Sequence, residues 1–271
     1  MTEIPFTQID AFADAPFRGN QACVMPLDQW LSDETLQAIA AENNVAETAF
    51  IVPLADSTWA LRWFTPAVEV PLCGHATLAA AYWLWAHGGF QGEKVTFETV
   101  HSGELYVSRL SEQTLEMDFP APEVFDLPHD DEIAAALGAK PVRVIGGPFY
   151  AAECGAVEDI LTLQPDYQAL AGVGRSGEGW NLGNFGCFAE GGDGVDVTSR
   201  FFAPGSGINE DPATGSWHCM VAAIMGPRLG RSVKCYQAYP GRGAQIEVEL
   251  VGTRVKLRGS CVTVIEGVFR L

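Results

Sequence analysis

Residues 64–82 read FTPAVEVPLCGHATLAAAY, and residues 202–223 read FAPGSGINEDPATGSWHCMVAA. Each has Phe-x-Pro, a polar turn-forming stretch, then a Gly (Gly74, Gly215) that opens an almost wholly apolar helical run. The second copy is about three residues longer between Pro and Gly. A pattern that returns once, near half the chain length, points to two related half-domains, because a solenoid needs at least three short repeats. The runs Ala76–Trp85 and Trp217–Met225 have scarcely a polar face, and a helix apolar all round must be buried. A curved sheet wrapped round each helix would bury it, and two such units would make the chain. The plainer alternative is two ordinary core helices of one sandwich. Function is expected in a cleft between the halves, where two helix N-termini would face each other.

Gly and Pro punctuate many short segments. Alternation predicts strands at Phe6–Phe12, Thr48–Val52, Ala60–Phe64, Lys94–Thr99, Glu104–Arg109 and Thr114–Phe119. Ser32 is a good N-cap for a helix running to Ala41. After Phe119-Pro120-Ala121-Pro122 the pattern gives a helix at Asp131–Leu137 and strands at Val142–Ile145 and Tyr150–Cys154. A helical stretch follows Ala156, then strands at Asn181–Ala189 and Val197–Phe202. The tail reads as strands at Val233–Gln237, Gln245–Leu250, Arg254–Arg258 and Val262–Phe269. The expected division is 1–119 and 120–271, with the last strand free to return to the first half. This is an α+β pattern rather than βαβ repetition.

The 271 residues are 48% hydrophobic, enough for one large core or two smaller ones. Sixteen Lys and Arg against 34 Asp and Glu give a formal charge of −18. Such a surface repels phosphate backbones and anionic membranes, so neither nucleic acid nor membrane is an expected partner. An anionic substrate needs a local positive field to offset the global one. The longest acidic run, Asp130-Asp131-Glu132, suits a helix N-terminus. The N-terminal stretch has no secretory pattern, and no apolar run reaches the roughly 18 residues of a membrane span. Seven scattered cysteines without a CxxC pair argue against a disulfide framework or a zinc site. The expectation is a cytoplasmic protein with buried thiols.

The first turn of a helix leaves about four backbone N–H groups unpaired and carries roughly half a positive charge. A buried helix needs a partner for them, and a carboxylate or enolate oxygen suits that place. A side-chain cap or ordered water would fill it equally well at one helix; two equivalent ends favour a ligand. Glu47, between Ala46 and Ala49-Phe50, is expected to lose solvent, which would raise its pKa toward the range useful in proton transfer. A solvated strand-end Glu is the plain alternative. His75 follows Gly74 at a helix start, where the dipole should keep the imidazole neutral. Cys73 at the same place is expected to have a depressed pKa, as base or nucleophile. Asp211-Pro212-Ala213-Thr214-Gly215-Ser216 reads as an acidic cap with Pro near the helix start. Glu69 and Glu210 are further carboxylates beside these segments. The five His are dispersed without metal-ligand spacing.

The motifs Gly19-Asn20-x-Ala22-x-Val24, Ala46-Glu47-Thr48-Ala49-Phe50, Phe64-Thr65-Pro66 through Leu72-Cys73-Gly74-His75-Ala76-Thr77, and Asn209-Glu210-Asp211-Pro212-Ala213-Thr214-Gly215-Ser216 fall in a specific order and spacing. They resemble the phenazine biosynthesis PhzF-like family of the diaminopimelate epimerase superfamily. Gln237 with Gly241-Arg242, and the strands closing at Glu266-Gly267, fit as well, so the resemblance covers essentially the whole chain. It implies an α+β fold of two pseudo-symmetric β-barrel-like halves, each wrapped round a central apolar helix, with the active site between them. It also implies a homodimer that needs no metal or organic cofactor and acts on a small-molecule carboxylate substrate. The implied chemistry is a proton shift or epimerisation beside a carboxylate or carbonyl.

By this match Glu47 corresponds to the general acid/base. His75, Asp211 and Ser216 correspond to pocket residues, and Gly74 and Gly215 to backbone donors. In the epimerases two cysteines on opposite faces do the work; Cys73 stands at one such place, while Thr214 precedes Gly215 at the other. Gln21 replaces the usual Pro, and Trp217 after Ser216 is expected to narrow the pocket. The reading is a cofactor-independent isomerase with Glu47, His75 and Asp211 catalytic, and Gly74, Gly215, Ser216 and Cys73 binding substrate. A thiol-assisted epimerase using Cys73 and a non-catalytic binder of small carboxylates remain open. Arg18, Arg175 and Arg242 stand open between a second acidic group of the substrate and the bare surface.

Overall fold

The duplication seen in the motifs is also the order of strand pairing. The computed structural model describes residues 2–174 and 182–271, so Arg175 and the expected strand start at Asn181 lie outside the described residues. The chain divides into two units, Met1–Asp118 with Arg258–Leu271, and Phe119–Leu257.

The first unit begins with β1 (Glu3–Ala11), β2 (Asn20–Pro26), α1 (Asp33–Asn43), β3 (Glu47–Ala55), β4 (Thr58–Phe64) and β5 (Glu69–Val70). It continues with α2 (Gly74–Ala86), β6 (Lys94–Thr99), β7 (Glu104–Arg109) and β8 (Leu115–Pro120). The second unit holds β9 (Phe125–Leu127), α3 (Asp131–Leu137), β10 (Arg143–Gly146), β11 (Tyr150–Glu153), α4 (Val157–Thr162) and α5 (Tyr167–Leu170). Then come β12 (Phe185–Glu190), β13 (Val197–Phe202), α6 (Gly215–Leu229), β14 (Val233–Gln237) and β15 (Ala244–Val251). β16 (Arg254–Gly259) runs across the unit boundary, and β17 (Cys261–Arg270) returns to the first unit and pairs antiparallel with β1.

In the first unit the pairs β1/β2, β2/β3, β3/β4, β4/β6 and β6/β7 are antiparallel, parallel, antiparallel, parallel and antiparallel. In the second, β10/β11, β11/β12, β12/β13, β13/β14 and β14/β15 follow the same series. Each parallel pair requires a crossover, and each crossover carries a helix. The chain crosses through α1 and α2 in the first unit, and through α4–α5 and α6 in the second.

The apolar runs are the central helices. α2 is buried from His75 to Ala81 and again at Leu84 and Trp85, and it lies against β1, β2, β3 and β17. α6 is buried from Trp217 to Ala222 and at Ile224 and Met225, and it lies against β14 and β15. Trp217 is wholly buried between Phe188 and Phe201, with its ring filling the space that a Cβ on Gly186 would need. It is therefore a core residue of the second unit, and the expected narrowing of a pocket by Trp217 is not what its side chain does.

Local chemistry sets the helix starts. Ser32 caps α1 by accepting from the Thr35 amide, and Asp130 caps α3 by accepting from the Glu132 and Ile133 amides. Strand β2 escapes the alternation pattern because it is buried on both faces (Asn20, Ala22, Cys23, Val24 and Met25), so its sequence has no polar side. All seven cysteines are free and buried. Burial pushes the thiols up, Cys154 to about 11 and Cys23 and Cys219 to about 12. Among the described residues no helix is long and apolar enough to cross a membrane.

Candidate active site

Both central helices are reached through the same device. On β4, Arg62 forks onto Glu69 with Nε–Oε1 at 2.7 Å and Nη2–Oε2 at 2.6 Å, and its guanidinium lies 5.1 Å from the Phe64 ring. On β13, Arg200 forks onto Glu210 at 2.7 and 2.8 Å, with its guanidinium 4.9 Å from the Phe202 ring. Phe64 pairs with Glu69 across the strands, as Phe202 does with Glu210. Each bidentate pair pins the start of the loop that leads into its helix. Glu69 and Glu210 are thus spent on holding backbone. The available signal was Arg-aromatic-Phe-x-Pro, present as Arg62-Trp63-Phe64-Thr65-Pro66 and Arg200-Phe201-Phe202-Ala203-Pro204.

Neither helix has a side-chain N-cap. Cys73 and Thr214 occupy the cap positions in extended backbone, and neither side chain accepts from the first turn. Instead the cap carbonyls are used. Thr77 Oγ1 donates to the Cys73 carbonyl at 2.6 Å, and His218 Nδ1 lies 2.9 Å from the Thr214 carbonyl. Thr214, three residues after Asp211, holds the cap position of α6. Thr214 Oγ1 donates to the Asp211 carboxylate at 2.5 Å, and the buried Gln237 clamps the turn by accepting from the Thr214 amide and donating to the Asp211 carbonyl. The turn is thus held by Thr214 and by Gln237 of β14, and the Thr214 side chain is not used on the first turn of α6. Gly215 is buried as the first residue of α6 and Ser216 is exposed beside it.

In the first unit three sequence-predicted residues meet. His75 Nε2 lies 3.0 Å from Glu47 Oε2, and His75 Nδ1 lies 3.5 Å from Cys73 Sγ. Glu47 opens β3, Cys73 is the cap of α2, and His75 is the second residue of that helix. The Glu47 and His75 atoms face each other without the alignment of a hydrogen bond, and neither has another hydrogen-bond partner. His75 is 5% exposed, while the Glu47 side chain keeps 18%. The carboxylate is the group of this pair with access to solvent.

The electrostatics differ from the sequence expectation at two residues. Burial alone pushes the His75 imidazolium down, but negative charge around the ring more than reverses this, and the pKa lies above the ordinary imidazole range. Glu47 is the source of that charge, because Cys73 is itself held as a thiol. The helix dipole does not decide the state of His75; a carboxylate 3.0 Å away outweighs it. Burial raises the Cys73 pKa first, Glu47 adds to the rise, and His75 only partly opposes it. The expected activated thiolate is absent for that reason.

The donor atoms of Glu47, Cys73 and His75 come within 4.8 Å of one another. They do not converge as a metal centre, because Glu47 faces one ring nitrogen and Cys73 the other. One cation cannot draw on both edges of an imidazole.

Asn20 belongs to this group and was visible only as part of a motif. Its Nδ2 lies 3.3 Å from His75 Nδ1, and the residue is 1% exposed. It opens β2, opposite Ala11 of β1. Gly19 makes the entry possible: it has φ +60°, and a Cβ there would stand 2.0 Å from the Ala11 carbonyl oxygen. Gln21 follows within β2, paired with Asp10. Arg18 is exposed and ion-paired with Asp14, and Arg242 lies in the loop between β14 and β15.

The family model for phenazine biosynthesis-like proteins matches residues 9–267. The chain belongs to the phenazine biosynthesis-like (PhzF-like) family. It is 39% identical to an uncharacterized isomerase of Pseudomonas aeruginosa, over 99% of this chain and 100% of that one. It is 34% identical to a human phenazine biosynthesis-like domain-containing protein, over 98% of each. A PhzF-family crystal structure from Enterococcus faecalis superposes with TM-score 0.92 at 36% identity over the whole of both chains. A probable proline racemase from Agrobacterium radiobacter shares the fold at TM-score 0.62 and 12% identity, covering 99% of this chain and 92% of that one. The family is isomerase-related, and the α+β fold is the epimerase-like one that the family resemblance implied.

His218, at the place in α6 that Thr77 holds in α2, gives a pH signature of this PhzF-like chain. Burial pushes its pKa down to about 4, against a smaller opposing pull from the Thr214 carbonyl. Between about pH 6.5 and 4 the unfolded chain binds a proton there that the native chain does not, so stability is lost as pH falls through that window. The shift is worth about 3 kcal/mol. His75 is shifted upward, and its window lies above 6.5. Urea unfolding across pH should therefore show a shallower acid loss in His218→Asn than in the wild type. Identical slopes would exclude His218 as the source.

Proposed function

We propose that this protein is an isomerase that moves a proton at a carbon next to a carboxylate or carbonyl of a small molecule, with Glu47 as general acid/base and no cofactor. The observation that carries this is the pair Glu47 Oε2 and His75 Nε2, 3.0 Å apart at the uncapped start of α2 and without other hydrogen bonds. Glu47 is the partly open member and takes the substrate proton, becoming a neutral carboxyl while the electron pair stays on the substrate; His75, behind it, holds the carboxyl group in place. The first-turn amides at Gly74–His75 supply donors for the developing oxyanion. This local field matters in a chain of net charge −18, which otherwise repels an anionic substrate. Asp211, Gly215 and Ser216 enter the proposal on the strength of the repeat and the family resemblance. The homodimer and a small carboxylate as substrate enter on the family resemblance, and the cytoplasmic location on the seven scattered thiols.

A panel of unsaturated and amino carboxylic acids incubated with the protein in D₂O, read by mass, tests the reading. At least one member should gain deuterium at the carbon next to its carboxyl. Tight binding of such acids without exchange of any of them would favour a non-catalytic carboxylate-binding protein.

The contact of Cys73 with His75 gives a thiol-assisted epimerase its specific support. Cys73 faces the far ring edge and is held as a thiol, so the Glu47 reading expects Cys73→Ser to keep exchange within a few-fold of wild type. Loss of on the order of 10²-fold or more, the scale of general acid–base catalysis, would favour the thiol instead.

A further inference from the structure

His75 stands between two chemically opposite neighbourhoods. Nε2 faces a carboxylate, which only accepts when ionised. Nδ1 faces the Asn20 amide nitrogen at 3.3 Å, a pure donor, and the Cys73 sulfur at 3.5 Å, a thiol that also carries a proton. An imidazole nitrogen met by a donor holds its lone pair there, and the ring proton goes to the other nitrogen.

We propose that Asn20 is the positioning residue that fixes the neutral His75 ring as its Nε2–H tautomer, with that N–H turned to the Glu47 carboxylate. The inference rests on the acid–base reading above and deepens it.

The balance of protons is simple. When the imidazole is neutral it carries one proton, on Nε2, facing the carboxylate. Abstraction breaks a substrate C–H bond; its electron pair stays with the substrate, and the proton forms an O–H bond on Glu47. The fold is built to hold the Asn20 amide still. Asn20 is buried, registered against Ala11 of β1, and preceded by a position at which only glycine fits without strain.

The test is nitrogen NMR of protein labelled with ¹⁵N-histidine, with His75→Gln identifying the His75 signals among the five histidines. In the wild type, at a pH above the His75 titration, His75 should show one unprotonated and one protonated nitrogen, with Nδ1 the unprotonated one. Asn20→Asp keeps the shape of the side chain but replaces the donor with an acceptor. In that variant Nδ1 should become protonated and the wide separation of the two signals should collapse. Asn20→Ala should lose the single tautomer and show averaged shifts. Far-ultraviolet circular dichroism and thermal melting check that the variants fold. A wild-type spectrum with the proton on Nδ1 overturns the proposal without any variant, as does an Asn20→Asp spectrum with unchanged His75 shifts. The D₂O panel stands apart from this readout. The predicted tautomer with no exchange of any acid would reject the isomerase reading and leave the assignment of Asn20 to the ring in place.

Discussion

Glu47→Gln should lower deuterium incorporation by on the order of 10²–10⁴-fold while leaving the protein folded and able to bind the same acids. The amide has nearly the shape of the carboxylate but cannot take a proton at neutral pH. Nothing else in the immediate site can replace it. His75 is the more buried partner, and its outward nitrogen is the one that faces Glu47. Cys73 lies beyond the far edge of the ring and is pushed away from the thiolate form by burial. The effect should fall on kcat, with KM changed little, because the interaction strengthens only as the proton moves. The stability change should stay within about 1 kcal/mol, as for substitutions away from a packed core. Exchange by the variant within tenfold of the wild-type rate, on any acid the panel identifies, would remove Glu47 from the role.

The second large effect concerns stability. Arg200→Met should destabilise the protein by about 3–5 kcal/mol, the loss expected when one partner of a buried ion pair is removed. The Arg200 and Glu210 side chains are each only 7% exposed, so the variant leaves a carboxylate buried without its partner. It also strips the Leu163 carbonyl of a donor at 2.8 Å. The fall in melting temperature should be on the order of 10 °C for a chain of this size. The twin pair provides an internal control. Glu69 is 28% exposed and Arg62 13%, so Arg62→Met should cost clearly less, because water can serve the remaining carboxylate. Adding Glu210→Leu to Arg200→Met should recover much of the loss, since no charge is then left buried. Equal losses from Arg62→Met and Arg200→Met in chemical denaturation would refute the argument from burial.

The PhzF-like chain wrote much of this in its sequence. The repeated Phe-x-Pro to Gly units, the two helices without a polar face, and the caps at Ser32 and Asp130 are local facts. Hydrophobic period and backbone hydrogen bonding fix them wherever the chain goes. Glu47, Cys73 and His75 could be named because their motifs carry a family pattern, and the helix starts explained why they stand where they do. Strand β2 was not read as a strand, and Asn20 stood only inside a motif, because a strand buried on both faces has no alternation to read.

Charge states were the part that only tertiary structure decided. From the sequence, a helix N-terminus suggested a neutral His75 and an ionised Cys73. The pairing of β2 with β3 and the packing of α2 against both instead bring Asn20, Glu47 and His75 together from residues 27 to 55 positions apart. Coulomb energy falls with distance, and desolvation depends on every neighbour, so a carboxylate at 3.0 Å and a closed apolar wall outweigh a dipole that the sequence does reveal. The turn at Asp211 shows the same dependence on distant residues: the Thr214 hydroxyl and the buried Gln237, 26 residues further on, hold it.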